Sequence, residues 1–328
     1  MNQSKPKWKG LLKFLGPIFF VFIIIRVVDP KAALALIKEI NPGLALASIL
    51  LTPSVIALQT FRWWLICQRL GMTSTVTGLF QINYISWFLS VVPLVGISPL
   101  AKIIYLKAEG KPAGKTAVSV TLDKLCDVLG QVFFSLFALI YFPEIFLRDM
   151  HRWILFAAGC IILFSVLIFW NKIWKKVTGI LRRYTGKRIQ KIGENLENEL
   201  SEFWTHFDLS FLIKILAISV ALGLVRSLIL YLLAMSLSIT ASFILIIACR
   251  ALIGVVNAIP VSINGLGTRD AILLFALPLA GVSKEAAIAL GFVAFLWTIG
   301  SKFSGVVFWF RHPLPTGAIR SIKEKLIP

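Results

Sequence analysis

Ten charged side chains lie inside apolar stretches of the sequence: Arg62, Lys102, Asp123, Lys124, Asp127, Arg226, Arg250, Arg269, Asp270 and Lys302. A charge at the centre of a bilayer costs at least ~2.5–3.5 kcal/mol, so each needs a partner or a wet cavity. Two chemistries account for them. Asp123 and Asp127 are four apart and share one helix face, which Gln131 continues. Two carboxylates so close require an intervening cation or a shared proton. Lys124, Lys102 or Arg62 can supply the cation. These acids, with Lys124 and Asp270, are therefore candidates for ion coupling or for ion pairing that fixes helix packing. The second chemistry is anion binding by Lys102, Arg269, Arg62, Arg226 and Arg250, with Asn257 and Asn264 nearby. For Arg62 and Lys302, close to segment ends, snorkelling to the interface is the alternative.

Two breaks in the apolar pattern sharpen the anion reading. One runs from Pro93 through Gly96 to Pro99, the other from Pro260 to Gly267. Ser98 before Pro99 is a good N-cap followed by a first-turn proline, and Thr268 can cap the limb after the second break. Gly265 and Gly267 allow close backbone approach. A returning limb that starts inside the membrane presents free N–H groups and the positive end of its dipole. Lys102 follows Pro93 by nine residues, and Arg269 follows Pro260 by nine. The expectation is that the two tips meet near the midplane, and that Lys102 and Arg269 hold one anion between them.

The elements that must position these residues are membrane helices. Hydrophobic residues make up 58% of the 328 residues and charged residues 15%, where soluble chains carry about 25% charged. Backbone groups in lipid must be satisfied within the segment, so an all-α polytopic protein is expected. Full spans are expected at 12–28, 43–68, 117–141, 152–170, 210–237 and 286–309. The broken segments 78–106 and 243–281 are read as re-entrant hairpins. That reading puts nineteen loop and tail Lys and Arg on the cytoplasmic side and four outside, as the positive-inside rule demands. It also places both termini in the cytoplasm of a cell with this protein in its cytoplasmic membrane. The +19 net charge is thus assigned to topology and lipid headgroups, and no nucleic-acid partner is expected.

Under this topology the chain is a single membrane domain in two halves, 12–141 and 152–309. Each runs span, span, hairpin, span, with opposite starting sides, which is an inverted-topology repeat. Residues 171–209 form a cytoplasmic basic and amphipathic linker, and 310–328 a basic cytoplasmic tail. Lysines before the first span, with Ala33-Leu34-Ala35 beyond, mimic a signal peptide, but Arg26 and Asp29 intervene and retention is expected. The four cysteines are far apart and the three histidines scattered, so neither a metal nor a cofactor is expected.

The stretch from Pro93 to Asp127, with Lys102 and Asp123-Lys124-Leu125-Cys126-Asp127, resembles the membrane region of lysylphosphatidylglycerol synthases. Residues 259–270 resemble that family's second signature, an LPxxxGGLGxRE pattern, and Arg62-Trp63-Trp64 also fits. Lys102 and Lys124 stand where arginine is usual, Asp270 replaces a glutamate and Asn264 a glycine. Two-domain members carry a soluble aminoacyl-transferase domain after the membrane part. Here 19 residues follow the last expected span, so a stand-alone member is expected.

The resemblance implies a flippase-like domain for phospholipid or isoprenoid-type lipid, with membrane lipid as partner and no catalytic residue. No nucleotide-binding loop is present to drive transport. Two other readings fit the same residues. One is a membrane-embedded lipid-headgroup transferase using an aspartate as base. The other is a scaffold that presents lipid to a partner synthase. Association with such an enzyme or with a second copy of the chain is compatible with all three.

Overall fold

Asn41 accepts backbone N–H bonds from Gly43 and Leu44, which caps helix α1 (Pro42–Leu50). Pro53 then forces a restart, and α2 (Thr52–Arg69) continues in nearly the same line. This is a computed structural model, and it describes residues 35–91, 97–141, 208–257 and 265–312. Among them every regular element is a helix. Thr75 caps α3 (Val76–Leu89), which is followed by α4 (Ile97–Ala108) and α5 (Ala113–Tyr141). Asp208 caps α6 (Leu209–Ser236), and α7 (Phe243–Asn257) and α8 (Thr268–Leu279) come next. Ser283 caps α9 (Lys284–Phe303), which runs into α10 (Val306–Arg311).

Among the described residues, three stretches are long and apolar enough to cross a membrane: Pro42–Arg69, Ser210–Ser236 and Lys284–Arg311. The expected span at 117–141 is the helix α5, whose 29 residues reach about 43 Å at 1.5 Å per residue. The expected spans at 12–28 and 152–170, the linker up to residue 207 and the tail beyond residue 312 lie outside the described residues. So do Pro93, Gly96, Pro260 and Asn264.

Each broken segment is a pair of short helices packed on each other, α3 on α4 and α7 on α8. At 12–15 residues the limbs are about 18–22 Å long, against ~30 Å of hydrocarbon. Two local expectations change. Ser98 is not a cap: α4 starts at Ile97, and the Ser98 hydroxyl instead meets Ser86 Oγ of α3 at 2.7 Å, pinning the limbs together. Thr268 is the first residue of α8, and Gly267 takes the cap position with φ +86°. That conformation is costly for any residue with a Cβ. Asp270 accepts the Gly267 N–H at 2.7 Å, the bond an N3 acid makes at a helix start.

Lipid offers helices no hydrophobic incentive to associate, so close approach at small residues must supply it. Gly223 of α6 lies so near the Phe134 ring that a Cβ there would fall 2.2 Å from it. A Cβ on Gly254 of α7 would meet Gln131 Oε1 of α5, and one on Gly291 of α9 would meet Asp270 Oδ1 of α8. Among the described residues, two large apolar clusters and a small one around Phe134, Ile247 and Ala251 fill the interior. One large cluster gathers Trp63, Ile66, Leu79, Ile85, Leu106 and Val118 from the first half, with Ile215. The other gathers Leu233, Ile246, Leu273 and Leu290 from the second half, with Val55.

Candidate functional site

Arg62 sits at the centre of a buried charge network. Its guanidinium is 0% exposed and donates to Asp123 Oδ1 from Nε (3.0 Å) and Nη2 (2.9 Å), to the Asp123 carbonyl, and to Ser219 Oγ of α6 at 3.1 Å. Both donors converge on the one oxygen Oδ1, which leaves Oδ2 for a second cation. Lys102 Nζ approaches Asp123 Oδ2 at 3.3 Å and lies over the Trp63 ring, 4.3 Å from its centroid. Trp63 is itself held by donating to Ser119. Asp127, one turn on, takes Arg226 at 2.6 Å, Lys124 at 3.7 Å and Arg62 at 3.8 Å, and Gln131 donates to it. The cation required between Asp123 and Asp127 is therefore Arg62, with Lys102 and Arg226 closing the two ends. Buried on α2, Arg62 does not snorkel.

This arrangement corrects the expected pairing of Lys102 with Arg269 about one anion. Lys102 is engaged with Asp123 in the first half, and it is absent from the cavity that Arg269 lines. That cavity, about 340 Å³, is walled by helices of both halves. Lys124, Arg226, Arg250, Arg269 and Lys302 project onto it, with Asp127, Gln131 and Asn257. Arg269 is 6% exposed, and its Nη2 has no hydrogen-bond partner among the described residues. Its Nε lies 3.5 Å from Asp270 Oδ1, an ion-pair distance without hydrogen-bond geometry. The Phe295 ring of α9 lies 6.0 Å from its guanidinium carbon.

The elements explain why these side chains converge. Ala294, Thr298 and Lys302 are four apart, so one stripe of α9 lines the wall. Lys302 is 8% exposed and turns inward rather than to the interface. Gly254 leaves room for Gln131 between α5 and α7. Asn257 closes the gap between α7 and α8: it accepts from Thr268 Oγ1 at 3.2 Å and packs on Gly265. Gln59, Trp87 and Trp297 also line the cavity; without a formal charge they did not stand out in the apolar runs. Ser219 was equally silent. A hydroxyl in a transmembrane helix ordinarily bonds its own backbone.

A UPF0104 membrane protein of Methanothermobacter thermautotrophicus is 20% identical, aligned over 98% of this chain and 99% of its own length. Residues 10–300 match the family model described as the lysylphosphatidylglycerol synthase TM region, and with most of its length so matched, this membrane protein belongs to that family.

Proposed function

We propose that this protein is a lipid translocase, or a lipid-binding transporter, that takes an anionic headgroup into the cavity between its two halves. The observation that carries the reading is the charge of that cavity: five basic side chains line it and one carboxylate, Asp127. So many desolvated cations invite an anion, and a phosphate accepts several charge-assisted bonds at once. Arg226 is the exchangeable member. It is 19% exposed on its Asp127 bond, so an incoming phosphate competes with Asp127 for the same guanidinium. Asp127 then returns to Arg226 as the ligand leaves. Arg62, Asp123 and Lys102 remain paired throughout and hold the first half rigid.

The inverted repeat belongs to the same proposal. Each half has its own apolar cluster and its own pair of packed short helices, and the cavity lies where the halves meet. Rocking one half against the other alternates access in transporters built this way. The protein acts in the cytoplasmic membrane with both termini inside, and transport is passive or ion-coupled.

The test is reconstitution in liposomes with a fluorescent anionic phospholipid and a membrane-impermeant quencher. Wild-type protein is expected to expose inner-leaflet lipid faster than empty liposomes. Arg269→Gln and Arg250→Gln are expected to slow exposure about tenfold, the loss of roughly one charge-assisted contact. Rates equal to empty liposomes, or a chemically altered headgroup, would sink the proposal.

A further inference from the structure

A second cavity, about 590 Å³ and almost wholly apolar, opens beside the cationic one. Ile49 and Leu50 of α1 and Val293, Leu296 and Gly300 of α9 form its walls. Leu50 and Leu296 are half or more exposed, so the groove faces the lipid side of the helices. Leu233 and Trp297 line both cavities, which makes the two spaces neighbours across a single wall. Trp297 Nε1 is buried there without a hydrogen-bond partner among the described residues. Indole donors normally find one. A cationic chamber joined to an apolar groove through an amphipathic side chain has the polarity profile of a lipid seen end to end.

The charge count narrows the headgroup. Lys124, Arg226, Arg250 and Arg269 stand against the carboxylates of Asp127 and Asp270, which leaves two positive charges uncompensated before Lys302 is considered. Arg250 has no ion pair among the described residues, and Arg269 has the vacant Nη2. A phosphodiester brings one negative charge. A terminal phosphate or diphosphate brings two or more near neutral pH. We infer that the ligand is a lipid ending in a phosphomonoester or diphosphate, its headgroup on Arg250 and Arg269 and its chain leaving past Trp297 into the groove between α1 and α9. This rests on the translocase reading and specifies its substrate class.

Gly300 supplies the discriminating variants. It lines the groove, and a Cβ added there meets nothing within 4 Å, so Gly300→Leu and Gly300→Trp start from open space and extend into the groove. Purified protein is offered equal amounts of acyl-matched phosphatidic acid and phosphatidylglycerol at mildly alkaline pH, and retained lipid is read by native mass spectrometry. Phosphatidic acid is expected to be retained about tenfold over phosphatidylglycerol, the effect of one further charge-assisted contact. Both Gly300 variants are expected to lower its retention several-fold with unchanged melting curves. If Gly300→Trp does not fold, Gly300→Leu gives the same reading. Equal retention of the two lipids overturns the headgroup class and leaves the translocase reading standing. Retention of neither defeats that reading as well. Stabilisation by inorganic phosphate equal to that by phosphatidic acid means a free anion rather than a lipid, and full retention in both Gly300 variants overturns the placement of the chain in the groove.

Discussion

At the scale of single residues, the buried charges divide into two groups with different jobs. Arg62 bridges two carboxylates, and removing it leaves Asp123 to Lys102 alone and takes the shared cation from between Asp123 and Asp127 in a dry interior. Breaking a buried pair in this way costs ~3–5 kcal/mol, so Arg62→Ala is expected to lower the melting temperature in detergent sharply. Arg250→Gln, at a residue with no ion pair among the described residues, is expected to leave melting nearly unchanged while lipid retention falls. Similar melting for the two variants would show that the division is wrong. A third, exposed group titrates. The carboxyl of Asp208 is held below the usual aspartate range, first by the Phe211 N–H it accepts and then by Arg69, 2.6 Å away. An acid depressed in the folded state stabilises above its unfolded value and loses that contribution as the pH falls through its folded one. Between about pH 5 and pH 2, around and below the ordinary carboxylate range, the wild type is expected to lose more melting temperature than Asp208→Asn. Parallel pH profiles would show that the cap contributes nothing.

At the scale of elements, several helices approach closely at glycines, beside the clusters of larger apolar side chains. The Phe134 ring covers Gly223 so closely that a larger residue must push α5 from α6. Overpacking of this kind costs ~1–3 kcal/mol. Gly223→Leu is therefore expected to lower thermal stability, and Phe134→Ala in the same chain to recover part of the loss. Additive losses in the double variant would mean that the two positions do not share a contact. The short helices follow a different logic. Where α7 gives way to α8, Gly267 takes a conformation only glycine adopts cheaply, and Asp270 completes the turn from one residue beyond Arg269. The residue pattern around 265–270 marked this break, but not that Asp270 serves the backbone there rather than a free ion.

At the scale of the whole molecule, the prediction concerns sidedness. The distribution of Lys and Arg predicts a cytoplasmic loop between α4 and α5. Lys111, whose ammonium donates to the Thr73 carbonyl, lies in that loop. Lys111→Cys is expected to resist an impermeant thiol reagent in intact cells and to react once the membrane is opened. Labelling in intact cells would reverse the assigned topology. The membrane class, the helical class and the identity of the suspicious charges were all legible in the sequence, because lipid penalises each unpaired polar group wherever it falls along the chain. Partnership was not legible. Lys102 and Arg269 sit at equivalent spacings, yet Lys102 closes on Asp123 while Arg269 faces a cavity with Arg226, Arg250 and Lys302. The apolar groove behind Trp297 left no trace either, since its residues read as ordinary transmembrane helix. Solvation cost is a property of each residue and its neighbours along the chain, so sequence alone determines it. Charge compensation and cavity shape depend on which helix faces which, and only the packed tertiary structure decides that.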